Sequence, residues 1–296
     1  MDRFYAIAAA IAAAMRKLGS LSHGSDCAIA VPQSRAAEAA AYGFRVTELV
    51  QGLDGGVLPA WCEHGPGAHD GGVAAHATAP VASRGWLLIE HPGPWAERAV
   101  ETELPGPLGE LAVEADRVGI RVQLIRRPDY REAKGAAGEA AGVYVAWTSG
   151  PEPWVRALGG PVRDCTALDL VGVAEGVAPP EAASAGPMYL VCAHARRDRC
   201  CGRFGAPLAR ELAARYPDRV WETTHLGGHK HAANMALLPH GLYYGPVDLP
   251  AALGAIEAYE RGEVTAHRYR GRAGRDEAWQ EAEFTALMAD GGRGPA

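Results

Sequence analysis

Short unbroken apolar runs, separated by stretches of helical period, organise the chain from residue 85 onward. Gly85 to His91 (GWLLIEH) is closed by Pro92-Gly93-Pro94 and predicts a buried strand. Ile120 to Ile125 and Gly142 to Trp147 predict two more, with helical stretches near 95–103 and 108–118. Strands alternating with helices predict a layered α/β domain, placed over residues 1–175. The Ala/Pro/Gly-rich stretch from Glu175 to Pro187 reads as a linker.

A second domain is expected over 187–268. Met188 to Val191 predicts a strand that delivers Cys192 at its end. Arg203 to Tyr216 predicts a helix with Leu208, Leu212 and Ala213 on one face and Pro207 in its first turn. Arg219 to Thr224 predicts a strand that delivers His225. Ala236–Leu238 and Leu242–Tyr244 flank Pro239-His240-Gly241, a hairpin signal. Leu249 to Glu260 predicts a helix. The order β-α-β, hairpin, α is that of a thioredoxin-like domain. Residues 269–296 read as a C-terminal helical extension, with a helix over Asp276 to Met288.

Two segments lack such a pattern. Residues 51–80 are rich in Gly, Ala and Pro and read as an irregular insertion, and ordering Cys62, His64, His69 and His76 as metal ligands there would carry a large entropy cost. The run Ala6 to Met15 is too short to span a bilayer, and its flanking charges are wrong for a signal peptide, so an amphipathic surface helix is expected.

Composition narrows the function class. At 296 residues, 48% hydrophobic and 22% charged, the chain has material for two soluble domains. A net charge of -6 with no dominant basic stretch disfavours a nucleic-acid partner, and no membrane partner is expected. The cysteines at Cys27, Cys62, Cys165, Cys192, Cys200 and Cys201 are neither dense nor regularly spaced. Three of them within ten residues suit a metal or redox site in a reducing cytoplasm better than a secreted disulfide framework.

The chemistry gathers between Cys192 and His229. The cysteines are spaced Cys192-x8-Cys201 or Cys192-x7-Cys200, and the histidines His225-x3-His229. A Cys2His2 set takes a structural zinc ion or a [2Fe–2S] cluster in which imidazoles replace two thiolates. The cysteine spacing is long for a zinc knuckle. Gly227 and Gly228 between the histidines disfavour helix and let backbone N–H groups approach a cluster closely. Cys201 is the favoured second thiolate, because Gly202 follows it at the turn into the helix; Cys200 is the alternative. Thiol–disulfide exchange through Cys200 or Cys201 is a further alternative, although the usual C-x-x-C spacing is absent. His194, Arg197, Asp198, Gly202, Gly227, Gly228 and Lys230 are expected to surround the ligands, and His231 to face solvent.

Several stretches together resemble the sucrase/ferredoxin-like family: Trp86 to Trp95, Ile125 to Pro128, Cys192-x-His194 with Arg197-Asp198 and Cys201-Gly202, and His225 to Lys230. Ala233-Asn234, Tyr244-Gly245 and Tyr269 to Arg272 extend the likeness over nearly the whole chain. The resemblance implies a C-terminal thioredoxin-like ferredoxin domain, an N-terminal domain that is a degenerate relative of it, and a [2Fe–2S] cluster on Cys192, Cys201, His225 and His229. Fungal members of the family carry a single Cys before the Gly where this chain has Cys200-Cys201. An electron carrier working with a redox partner protein is then expected, rather than a stand-alone catalyst; no carboxylate pair supports glycosidase chemistry. Imidazole ligation should raise the potential above that of an all-Cys ferredoxin, and titration of the free ring nitrogens should couple electron uptake to proton uptake.

Overall fold

The computed structural model describes residues 76–104, 106–128, 142–159 and 167–296, all within one compact unit, Gly56–Ala296. The expectations for Ala6 to Met15, for residues 51–75, and for Cys27 and Cys165 fall outside the described residues.

The protein is a mixed α/β structure built on a ten-stranded sheet. In the first half, β1 (Gly85–Glu90) leads through α1 (Ala99–Glu103) and α2 (Pro107–Arg117) to β2 (Ile120–Arg126), β3 (Val143–Trp147), β4 (Trp154–Leu158), α3 (Leu170–Ala174) and a short β5 (Ala183–Ser184). The second half opens with β6 (Met188–Cys192). A wide π-helical turn (Cys201–Gly205) runs into α4 (Ala206–Ala213), followed by β7 (Val220–Thr223) and a single 3-10 turn (His229–His231). Then come β8 (Met235–Leu238), β9 (Leu242–Tyr244), α5 (Leu249–Glu260), β10 (Glu263–Thr265), β11 (Tyr269–Arg272), α6 (Glu277–Ala289) and β12 (Arg293–Pro295).

The two halves share one topology. β1 is parallel to β2 and antiparallel to β3. β6 is likewise parallel to β7 and antiparallel to β8. The strand order β4-β3-β1-β2 is thus matched by β9-β8-β6-β7, and the halves join where β2 meets β7. Strands paired on both sides read as unbroken apolar runs, and Trp86–Ile89 and Met188–Cys192 are buried throughout. Period-two alternation splits β6 between two cores. Tyr189 and Val191 pack under α4 and α5. Met188, Leu190 and Cys192 join Trp86, Leu88, Ile125 and Val155 of the first half. Cys192 therefore lies in a core to which both halves contribute.

Some elements differ from the sequence expectation. The stretch expected as a linker carries β5, paired with β4. Residues 269–296 begin in the sheet, because β11 pairs with β9. The helix expected from Arg203 starts as the π turn at Cys201. Asp248 and Asp276 fix the starts of α5 and α6 by accepting the Ala251 and Trp279 N–H groups at 2.9 and 2.8 Å. Among the described residues no helix is long and apolar enough to cross a membrane.

The seam between the halves is short but strongly tied. β2 and β7 run antiparallel and pair Ile125 with Thr223 and Arg126 with Glu222. Arg126 and Glu222 also form a buried ion pair at 2.7 Å, and the Arg126 guanidinium lies 4.0 Å from the Trp95 ring centre. Arg127 sits 3.6 Å above Trp221 and donates to the Pro217 carbonyl at 2.9 Å. Removing one member of a buried pair strands the other charge, at a cost of about 3–5 kcal/mol. Glu222→Ala should lose stability of that order in urea unfolding, and the double exchange Arg126→Met with Glu222→Leu should lose much less. Equal losses would show that the ion pair is not what secures the seam.

Candidate metal centre

β6 and β7 are parallel neighbours, so their carboxyl ends emerge at the same edge, where ligand crevices form in such sheets. Cys192 is the last residue of β6 and is fully buried. The chain then turns at His194, whose carbonyl accepts the Arg197 and Asp198 N–H groups at 3.2 and 3.0 Å. The Asp198 carboxylate in turn accepts the N–H groups of Cys200 and Cys201 at 2.8 and 3.2 Å. It thereby caps the π turn, in the manner of a helix N-cap. Gly205 closes this turn against the strand it left: a Cβ there would fall on the Cys192 carbonyl oxygen. That close approach folds Cys201 back over Cys192.

His225 follows the end of β7. Its carbonyl accepts from the Arg121 guanidinium at 2.9 Å, so the first half holds this residue in place. Beyond it, Gly228 takes a left-handed backbone (φ 67°), a region that glycine enters without steric cost. The 3-10 turn at His229 follows. Asn234 donates to the Gly228 carbonyl at 3.0 Å, and Arg270 donates to the Gly227 carbonyl at 3.2 Å.

Cys192, Cys201 and His225 converge, each offering a donor atom, with all three atoms within 4.8 Å of one another. The Cys201 sulfur is 3.9 Å from His225 Nδ1. Donors of one tetrahedral ion stand roughly 3.5–4 Å apart, given metal–sulfur and metal–nitrogen bonds of about 2.3 and 2.0 Å. The set is therefore close to that of a coordination shell. His229 lies outside this group of three. It is exposed, with its ring centre 5.7 Å from that of His225. Of the cysteine doublet, Cys201 and not Cys200 joins the three; Cys200 is buried beside it.

The two sulfurs share a proton unequally. A hydrogen bond from the Cys201 thiol, helped by the His225 imidazole, holds Cys192 well below the usual thiol range. The same hydrogen bond, followed by burial, pushes Cys201 far above it. Two buried thiolates this close repel, and a cation between them is what lets both ionise. The donor chemistry thus fits a thiophilic metal centre.

His194 is buried, and its Nε2 lies 2.7 Å from the Ala96 carbonyl, which can only accept, so Nε2 carries the proton. Burial lowers its pKa and keeps the ring neutral. It ties the Cys192 strand end to the first half and is not one of the converging donors. Arg197 pairs with Glu97 at 3.4 Å on the surface, and Lys230 is exposed. Gly202 lies against Ala195. His231, expected to face solvent, is 1% exposed, because the 3-10 turn carries it inward, and its backbone carbonyl lies against Gly245. A cleft of about 390 Å³ lined by Glu97, Arg98, Gln123, His194, Arg197 and His225 opens beside the centre. A larger hollow of about 910 Å³ along α2 is lined by no cysteine or histidine.

The family model described as sucrase/ferredoxin-like matches residues 78–271, about two thirds of the chain and the whole of this centre. No curated protein and no solved structure matches the chain.

Sequence reasoning passed over Gly205, Arg121 and the role of Arg270. Only Arg270 carried a signal, through the Tyr269 to Arg272 motif. The importance of Gly205 is directly testable. Gly205→Ala should destabilise by at least about 1–3 kcal/mol through overpacking and speed the reaction of the buried thiols with a disulfide reagent. Gly254→Ala, on α5 with open space around it, should instead stabilise by about 0.5–1 kcal/mol. Thermal unfolding of the two variants should move in opposite directions.

Proposed function

The chain belongs to the sucrase/ferredoxin-like family, and from that premise we propose that it is a one-electron carrier with a [2Fe–2S] cluster on Cys192, Cys201, His225 and His229. The observation that carries the reading is the convergence of two buried sulfurs and an imidazole within 4.8 Å, inside the matched region. When bound, such a group takes up and returns a single electron.

The chain's own residues do the rest. Cys192 and Cys201 supply the negative charge and exclude water from the sulfur side. His225 and His229 are the weaker donors, which places the potential above that of an all-Cys centre. His229 is exposed and marks the face nearest an incoming partner. Arg196, Arg197, Arg199 and Arg203, in and just after the Cys192–Cys201 segment, and Lys230, next to His229, are exposed and suit an acidic redox protein, by electrostatic steering. Within this reading each half is a thioredoxin-like unit, an assignment supported by the repeated strand order. Residues 187–268 form the ferredoxin domain and residues up to 175 its degenerate counterpart. Reduced cysteines grouped in this way suit the cytoplasm.

A zinc-stabilised interaction module is the second reading, favoured by three donors spaced as around one ion. Exchange chemistry at Cys200 or Cys201 is disfavoured, since both sulfurs are buried and a reactive thiol needs access.

Iron, acid-labile sulfide and zinc content of freshly purified protein, with absorbance and EPR spectra, separate these readings. Red-brown protein with two irons and a mixed nitrogen–sulfur signal is expected; colourless protein with one zinc would sink the proposal. Cys192→Ala and Cys201→Ala should abolish the chromophore, and Cys200→Ala should retain it. His225→Cys and His229→Cys should each keep a cluster with a lower potential. A spectrum and potential unmoved by one of these exchanges would remove that residue from the ligand set.

A further inference from the structure

We propose that Arg270, seconded by Arg121, is the fixed positive charge that stabilises the reduced form of the metal centre and braces the loop bearing its histidines. The inference rests on the electron-carrier reading above.

Among the described residues the guanidiniums of Arg126, Arg270 and Arg272 are buried or nearly so, and they are treated differently. Arg126 has Glu222 at 2.7 Å, and Arg272 has Glu283 at 2.7 Å. Arg270 is 2% exposed, yet every group it donates to is neutral. These are the Thr78 hydroxyl at 3.1 Å, the Thr78 carbonyl at 3.0 Å, the Gly227 carbonyl at 3.2 Å and the Asn234 side-chain oxygen at 2.6 Å. Among the described residues no carboxylate pairs with it. Burial lowers its pKa to about 10, so it stays charged at neutral pH. The negative charges that act on it include the sulfurs of Cys192 and Cys201. Hydrogen bonds satisfy the guanidinium, and among the described residues the groups whose negative charge acts on it are the Tyr243 oxygen first and then the two sulfurs of the metal site.

Arg121 adds a second cation at the ligand loop. It donates to the His225 carbonyl at 2.9 Å, and its charge repels that of Arg270. Like charges gathered in a buried place are unfavourable unless something negative lies between them. The loop is shaped around this arrangement: a side chain on Gly228 would collide with the Arg270 guanidinium.

The sign of the effect follows from charge counting. Two thiolates and two neutral imidazoles around an oxidised two-iron, two-sulfide core give a neutral centre. One electron from a donor protein makes it singly negative, with no bond made or broken. A nearby buried cation attracts the reduced form more than the oxidised form, at an effective dielectric well below that of water. The arginines therefore raise the potential, while their hydrogen bonds to the Gly227 and His225 carbonyls hold the ligand loop.

The test is a spectroelectrochemical titration of the cluster-loaded full chain in wild-type, Arg270→Lys, Arg270→Gln and Arg121→Gln forms. Arg270→Gln should shift the equilibrium about tenfold toward the oxidised form, which is 59 mV for a one-electron couple. Arg121→Gln should shift it less, in the same direction, and Arg270→Lys should recover most of the wild-type midpoint. A purely structural role would lower the unfolding temperature of the Lys and Gln variants alike and leave the midpoint in place, and that result overturns the proposal. Should Arg270→Gln fail to fold, the half-buried Arg121 decides: a lowered midpoint supports the proposal and an unchanged one overturns it. Wild-type protein that is colourless and holds zinc defeats the electron-carrier reading and this inference together, before any variant is made. Brown wild-type protein with unmoved midpoints in the variants defeats only the role given to the arginines.

Discussion

Two sulfurs buried at the carboxyl ends of the sheet cannot both ionise without a cation between them, and the second half of the molecule is arranged around that condition. Cys192 is placed by a strand paired on both sides, which gives it little freedom to move away. Cys201 is placed by a turn that Asp198 caps and Gly205 allows to lie against the same strand. Neither position relaxes easily, so the repulsion is met by hydrogen bonding and proton sharing within the protein, or by a metal. The imidazole of His225 completes the set from a segment that the other half of the fold holds.

The repeated topology clarifies that division of labour. Both halves end a central strand at the equivalent edge, but β1 ends on Glu90, whose carboxylate accepts the Gly142 N–H at 3.0 Å, and β6 ends on Cys192. The first half contributes no cysteine among its described residues. It contributes cations and walls: Arg121 on the His225 carbonyl, Arg126 on Glu222, Arg127 on Trp221, and Trp95 and Ala96 against His194. Because Thr224 continues the pairing past β7, exchanging hydrogen bonds with Leu124, the edge of one half serves as the back of the other half's site.

Much of this was legible in the sequence, for identifiable reasons. Central strands are buried on both faces, so β1, β3 and β6 stand out as apolar runs, β2 shows by the alternation of Ile120, Val122 and Leu124 with Arg121 and Gln123, and the Pro239-His240-Gly241 turn marks the β8–β9 hairpin. The ligand candidates declare themselves because cysteine and histidine are scarce and here concentrated. What the sequence hides is half-exposed or non-local. β4 is only five residues long, is interrupted by Arg156 and buries only Val155, too little for a period to show. The π turn depends on a contact between Gly205 and Cys192, thirteen positions apart, that no local pattern encodes. His231 looks like any polar loop residue, and only the direction of a single 3-10 turn buries it. The choice between Cys200 and Cys201 is likewise one of angular position around a turn, which a linear spacing does not specify.

That no carboxylate among the described residues pairs with Arg270 bears on what the site is for. A permanently neutral metal site, such as zinc with two thiolates and two imidazoles, would leave that guanidinium without a counter-charge at all times. Burying an ion unpaired is costly, several kcal/mol even after relaxation, and a structural site gains nothing from it. A site that cycles between neutral and singly negative is different. The arginine is then uncompensated only in the oxidised form, and its unfavourable burial becomes a driving force for accepting the electron. The fold shows elsewhere that it can pair buried arginines with carboxylates, at Arg126 and Arg272. Among the described residues no carboxylate pairs with Arg270, which instead donates to the Gly227 carbonyl, between the two histidines.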